Sequence, residues 1–239
     1  MIYAIGDIHG QFLKLASLLN QIELRGLTSR DRLVFVGDYV DRGPGTPDVI
    51  QSLIELGHSR PNTVFLRGNH EQMMLDARSC FDPEWRSKLP EPIAIEKAII
   101  WFGEGGSATL ESYGAGPAGE NRRWWESIPE AHWKFLEQTL LEFAEGRFQF
   151  VHAGVVPPGK RWKPDLPGLD SRLWIREMFL KYKRDFPEGI VVFGHTPQLS
   201  GRPLSQRNKI GIDTAAAYGG PLTAVALSDE RGIVEVIQA

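Results

Sequence analysis

Three times between Ile2 and Glu71 the chain repeats one arrangement: a short apolar run, a glycine, then a polar residue able to ligate a metal. Ile2–Ile5 runs into Gly6-Asp7, Leu33–Val36 into Gly37-Asp38, and Val64–Leu66 towards Gly68-Asn69. Apolar residues then recur at helical spacing, first Phe12, Leu15, Leu18, Leu19 and Ile22, then Val49, Ile50, Leu53, Ile54 and Leu56. Thr46 is placed to cap the second helix and Pro47 to start it, and a third helix begins near His70. Strand, loop and helix in alternation constrain the chain to an α/β fold. In such sheets ligands bind beyond the carboxyl ends of the strands, where Asp7, Asp38 and Asn69 are all placed.

The last third returns to apolar runs, at Phe148–Val151, Ile190–Phe193, Lys209–Ile212, Leu222–Leu227 and Ile233–Ile237. The close spacing of the later runs predicts antiparallel pairs. Between these regions, Ser79 to Trp133 carries Pro83, Pro90, Pro92, Gly105-Gly106, Gly114, Gly116 and Gly119. It reads as short helices joined by turns, covering one end of the sheet. With 239 residues, 42% of them hydrophobic, the chain can bury a large core. Candidate ligands run from Asp7 to His195, so residues 1–239 are expected to close as a single domain. A net charge of −3 leaves no basic face to track a nucleic-acid backbone. Cys80 is the only cysteine, which excludes an internal disulfide. No apolar run reaches the roughly 18 residues that span a bilayer, and the start lacks the basic and apolar regions of a leader. The expectation is a soluble cytoplasmic protein, with its oligomeric state open.

Two further motifs, His152-Ala153-Gly154 and Gly194-His195-Thr196, complete the set. Taken singly, Asp7 or Asp38 reads equally well as a helix-start or turn carboxylate. Taken together, the residues read as a two-metal site. Such a site holds its ions about 3.5–4 Å apart, so that one hydroxide and the phosphate oxygens span both. Asp38 is the candidate bridge. Asp7 and His9 complete the first metal, and Asn69, His152 and His195 the second. Carboxylate, amide and imidazole donors without thiolate suit Mn²⁺, Fe or Zn²⁺ at five or six coordination. Two divalent ions, two carboxylates and one hydroxide sum to about +1, a local well for a phosphate dianion. Arg42 adds to it and offers paired donors to phosphate oxygens. His70 follows Asn69 directly, so the two do not share a metal. His70 is assigned as the general acid that protonates the leaving oxygen, and Asp41 as the carboxylate that orients it. The chemistry is hydroxide attack on phosphorus with no covalent enzyme intermediate.

These motifs, GDIHG (6–10), GDYVDRG (37–43), GNHE (68–71), HAG (152–154) and GHT (194–196), resemble the phosphoprotein phosphatase branch of the calcineurin-like metallophosphoesterases. They stand in that family's order and span most of the chain. The resemblance implies two mixed sheets packed as a sandwich between helices, a two-metal centre often filled by Mn²⁺, and phosphomonoester hydrolysis. It implies the same roles for the ligands, for Asp41 and His70, and for Arg42 as a phosphate clamp. Leu173–Glu177 is similar to a segment of bacterial members that supplies a second phosphate-binding arginine, here Arg176. Tyr218 resembles a tyrosine near the site in eukaryotic relatives, whereas Ser79–Trp133 looks more like compact bacterial members.

The leading expectation is a phosphatase acting on phosphoserine or phosphothreonine, and also phosphotyrosine, in proteins. The alternative is a symmetrical dinucleoside tetraphosphate hydrolase, cleaving diadenosine tetraphosphate. Bacterial enzymes of that kind often lack the aspartate corresponding to Asp41, so its presence tilts the reading towards monoesters. A non-catalytic binding module would have lost a ligand or the acid, and none is missing. Other features read as ordinary. His58 and His132 are surface or helix-end residues, Arg67 and Glu71 support the fold, and Trp124 and Trp125 pack in the core rather than stack on a substrate. Gly103–Ser107 breaks one helix and starts another, with Ser107 as cap. Cys80 and Arg86 have the spacing of a cysteine phosphatase. Pro83 removes a backbone donor there, and Asp82 and Glu84 repel an anion, so that reading is rejected.

Overall fold

The computed structural model describes all residues except 83, 85–90, 117–122 and 166–167, and leaves out the side chains of 91–94. Strand β1 (Ile2–Ile5) is apolar throughout and buried on both faces. Alternation along it sends Ile2 and Ala4 to one side, Tyr3 and Ile5 to the other. It pairs in parallel with β2 (Arg32–Phe35), which pairs in parallel with β3 (Val64–Phe65). A second sheet contains β4 (Glu142–Glu145), β5 (Phe148–Val151), β6 (Ile190–Phe193), β7 (Leu204–Gln206) and β8 (Lys209–Gly211) in the order β4-β5-β6-β8-β7. Strands β9 (Thr223–Ser228) and β10 (Gly232–Gln238) return to the first sheet, giving β10-β9-β1-β2-β3.

Ile2, Ala4, Val34 and Val36 of the first sheet meet Phe148, Phe150, Val192 and Ile210 of the second in one buried layer. Each large apolar side chain enclosed there contributes about 1.5–3 kcal/mol. On the outer face of the first sheet, Tyr3, Ile5, Leu33 and Phe35 pack under α1 (Phe12–Leu24), α2 (Thr46–Ser59) and α3 (Asn69–Phe81). On the outer face of the second, Val151, Val191 and Phe193 meet Phe179 and Ile175. The architecture is therefore α/β, two mixed sheets as a sandwich flanked by helices. Described parts of the middle segment are α4 (Glu91–Trp101), α5 (Ser107–Ser112), a 3-10 turn at Trp124–Ser127 and α6 (Glu130–Gln138). Short helices α7 (Ser171–Trp174) and α8 (Glu177–Leu180) follow β5. Among the described residues no helix is long and apolar enough to cross a membrane.

Several local expectations change. Gly45, not Thr46, precedes α2, and Pro47 lies within its first turn without any side-chain cap. Ser107 is the first helical residue of α5, and the break before it comes from Gly105 at φ 114°. Only β9 and β10 form an antiparallel pair among the late apolar runs. β8 pairs in parallel with β6 and antiparallel with the edge strand β7. The edge strands β4 and β7 escaped the sequence reading because neither has a fully buried position to impose an apolar pattern.

Candidate metal centre

Each motif sits where its strand ends. Asp7 and His9 follow β1, Asp38 follows β2, Asn69 opens α3, His152 follows β5 and His195 follows β6. Among the described residues, six non-glycine residues have left-handed backbone, and five are His9 (φ 46°), Asp38 (55°), Asp41 (72°), Arg42 (66°) and His195 (60°). Such conformations cost about 1–3 kcal/mol each and persist only where their surroundings hold them.

Glu71 does much of that holding. It is fully buried. One carboxylate oxygen accepts the N–H groups of Tyr39 (2.7 Å) and Val40 (3.2 Å), the other those of Asp38 (2.8 Å) and Gly68 (2.7 Å). Burial and the Asp38 charge push its pKa up to about 7, a rise that the N–H donors restrain. Two glycines give the carboxylates room. A Cβ on Gly68 would lie 2.0 Å from Asp38 Oδ1, and one on Gly194 1.9 Å from Asp7 Oδ1.

His9 and His152 donate from Nδ1 to Val40 O and Val36 O, both at 2.9 Å. This turns both Nε2 atoms inward, each 3.4 Å from Asp38 Oδ2. Two groups of convergent donors share Asp38: His9-Asp38-His70 and Asp38-His152-His195. Asn69 Oδ1 lies 2.8 Å from His152 Nε2 and 2.9 Å from His195 Nδ1. Asp7 belongs to neither convergent group. Its Oδ2 accepts the His195 N–H at 2.8 Å, and its buried Oδ1 has no hydrogen-bond partner. Burial, with Asp213 next, raises Asp7 well above the usual carboxylate range. Burial opposes the Asp38 charge, yet His152, His70 and His9 hold its pKa well below that range. Burial lowers His9 to about 3; it would lower His152 too, but the Asp38 carboxylate raises that imidazole to about 9. Inward-facing imidazole nitrogens, an unpartnered carboxylate oxygen and crowded carboxylates fit the donor chemistry of divalent cations.

His70 Nδ1 stands 2.7 Å from Asp41 Oδ2, both residues buried, and its Nε2 is 4.0 Å from Asp38 Oδ2. Arg42 Nη1 approaches His9 Nε2 at 2.8 Å, and its guanidinium lies 5.4 Å from the ring centre of the exposed Tyr218. Arg176 donates from Nε to His195 Nε2 at 2.9 Å. The structure gathers the sequence-predicted residues around Asp38, but in a grouping other than the expected one: Asp7 stands outside both convergent groups, His70 joins His9 and Asp38 in the first, and Tyr218 lies exposed beyond Arg42. Beside it, Met73, Ile100, Leu173 and Trp174 line a cavity of about 450 Å³, with the Trp174 ring edge-on to His195 at 6.1 Å.

Sequence reasoning missed Asp213, a buried carboxylate at the end of β8 that burial pushes up to about 6. The signal was present, since Lys209–Ile212 is another apolar run ending on aspartate. His132 lies at a helix end as expected, in the first turn of α6, but not at the surface. It is buried and accepts the Tyr113 hydroxyl at 2.6 Å. His58 is exposed in the last turn of α2, and Trp124 and Trp125 are buried in the core. Arg67 ties the start of α3 to Thr139 and to the Glu137 carbonyl. Burial pushes the Cys80 thiol up to about 11, far from a nucleophile's range, and Arg86 lies outside the described residues.

Comparison with known proteins identifies the family. A family model described as calcineurin-like phosphoesterase matches residues 1–210. Serine/threonine-protein phosphatase 1 of Salmonella typhimurium is 31% identical over 235 residues, covering 93% of this chain and 89% of its own. The symmetrical bis(5'-nucleosyl)-tetraphosphatase of Chromohalobacter salexigens is 28% identical over 279 residues, covering 99% and 98%. In fold, the chain is similar to a cold-active protein-tyrosine phosphatase of a psychrophilic Shewanella (TM-score 0.56, 16% identity, 94% of this chain and 74% of that one). A protein serine/threonine phosphatase from Saccharomyces cerevisiae gives TM-score 0.55 at 15% identity, covering 100% and 79%. The chain belongs to the calcineurin-like phosphoesterase family and is a hydrolase of the metallophosphoesterase type.

Proposed function

We propose that this hydrolase is a protein phosphatase for phosphoserine and phosphothreonine, acting through two divalent cations. The observation that carries the reading is the buried His70–Asp41 pair, 2.7 Å apart at the edge of the donor cluster. An alkoxide leaving group needs a proton, and an imidazole oriented by a carboxylate delivers one. Asp7, His9, Asp38, Asn69, His152 and His195 would hold the cations, with Mn²⁺ the leading choice and Fe or Zn²⁺ the alternatives. When bound, the cations neutralise phosphate charge and acidify the water that attacks phosphorus. Arg42 and Arg176, each next to a donor histidine, clamp phosphate oxygens, and Tyr218 backs Arg42. The name of the Salmonella typhimurium relative supports this reading.

Hydrolysis of dinucleoside tetraphosphates is the second reading. It is supported by relatives named symmetrical bis(5'-nucleosyl)-tetraphosphatases and by the cavity of about 450 Å³ beside His195, which has room for a nucleoside. An anhydride has an acidic leaving group and depends less on His70. The test is steady-state turnover with Mn²⁺ of a phosphothreonine peptide against diadenosine tetraphosphate, with Asp38→Asn and His70→Asn as controls. Faster peptide turnover, lost in both variants, supports the phosphatase. Faster nucleotide turnover that survives His70→Asn replaces it with the second reading.

A further inference from the structure

Among the described residues, three side chains meet the carboxylate of Asp41, and two of them belong to the middle segment. Asp41 is fully buried, with Oδ2 bound to His70 Nδ1. Thr109 Oγ1 donates to Asp41 Oδ1 at 2.7 Å and accepts the Asp41 N–H at 2.9 Å, so this hydroxyl is committed on both sides. The indole N–H of Trp101 reaches both carboxylate oxygens, at 2.9 and 3.1 Å. Trp101 and Thr109 are themselves fully buried. The Trp101 ring lies 5.0 Å from that of Trp124 and 5.2 Å from that of Phe102. Gly106 lets the chain pass the indole, since a Cβ there would sit 2.6 Å from it. Between the two donors, Gly105 O accepts the Arg42 N–H at 3.2 Å.

A carboxylate held by His70 alone is free to turn about its Cβ–Cγ bond, and each turn moves the acceptor away from Nδ1. Donors on both oxygens fix its plane. An imidazole presents Nε2 in a constant direction only when its other nitrogen is held. We propose that Trp101 and Thr109 are positioning residues of the general acid, fixing Asp41 so that His70 Nε2 faces the leaving oxygen. The inference rests on the reading of His70 as the acid.

The experiment compares two substrates with the Mn²⁺-loaded full chain: a phosphothreonine peptide, whose alkoxide needs the proton, and p-nitrophenyl phosphate, whose phenolate does not. Trp101→Phe keeps the ring and removes the N–H. Thr109→Val keeps the shape and removes the hydroxyl, and Thr109→Ser restores it. The expected result is a fall in kcat on the peptide of about 10- to 100-fold for Trp101→Phe and Thr109→Val. KM is unchanged, p-nitrophenyl phosphate turnover stays near the parent's, and Thr109→Ser recovers the peptide rate. Equal loss on both substrates, or no loss on either, makes these packing residues and overturns the proposal. His70→Asn separates the two levels. If its own loss is unselective, the acid reading fails and the proposal falls with it. If His70→Asn is selective and Trp101→Phe is not, the proposal alone fails.

Discussion

Glu71→Gln tests how the loop carrying Asp38 is held. Each Glu71 oxygen accepts two backbone N–H groups, so the pairs are Tyr39 with Val40 and Asp38 with Gly68. Glutamine presents one oxygen and one NH₂. In either orientation one pair of buried N–H groups faces another donor. An unsatisfied buried N–H costs about 1–3 kcal/mol, so the pair costs about 2–6 kcal/mol. Release of the left-handed backbone at Asp38 (φ 55°) offsets about 1–3 kcal/mol of that if the loop relaxes. The expected net loss is about 1–3 kcal/mol, a substantial part of a typical stability of roughly 5–15 kcal/mol. Urea unfolding of the metal-free protein should show a lower midpoint at unchanged slope. Because Asp38 and Tyr39 lose their anchor, Mn²⁺ affinity by titration calorimetry should fall about 10- to 100-fold. A loss below about 1 kcal/mol with unchanged Mn²⁺ affinity would refute the argument, because the N–H groups would then have other partners.

Gly194→Ala puts a methyl 1.9 Å from Asp7 Oδ1, and the displaced carboxylate should lower Mn²⁺ affinity about 10- to 100-fold in the same titration. Donors come from the ends of strands in both sheets, so Mn²⁺ at about 100 times its Kd should add about 2.7 kcal/mol of stability. That is a rise of about 5–10 °C in Tm by calorimetry, absent in His152→Ala. Cys80, raised to about 11 by burial and then by the Asp76 charge, is a thiol at neutral pH. Its alkylation by iodoacetamide should accelerate as pH rises towards 11, and Cys80→Ser should leave turnover unchanged. Lys209 is buried and donates to the carbonyls of Phe179, Leu180 and Tyr182. Lys209→Met removes all three bonds; Phe179 O keeps the Tyr182 N–H and Tyr182 O keeps the Asn208 amide, so Leu180 O is the acceptor that loses its donor, and the change should cost about 1–3 kcal/mol in urea unfolding.

What was legible in the sequence followed from double-sided burial. β1, β5 and β6 read as apolar runs because both their faces are covered, and the ligand-type residues stood out because each interrupts such a run at its end. Two kinds of information were hidden. Edge strands such as β4 have a solvent face and little apolar signal. Long-range hydrogen bonds have no local pattern at all: nothing near Glu71 says that it accepts from Asp38 and Tyr39, and nothing near Thr109 points to Asp41. His132 was legible in principle. It precedes Trp133 and lies one turn before Leu136, on the inward face of α6.

Helix α4 faces two ways at its end. Ile100 lines the cavity beside His195, while Trp101 grips Asp41. A substitution that reshapes the cavity through this helix also moves the indole, so the shape of the cavity and the setting of the Asp41–His70 pair are inherited as one unit along it. The opposite wall has a tie of its own: Leu173 lies in α7, where Arg172 O accepts the Ala153 N–H beside His152 and Trp174 stands against His195. Libraries built to reshape the cavity belong first at Leu169, which lines it from outside α3, α4 and α7.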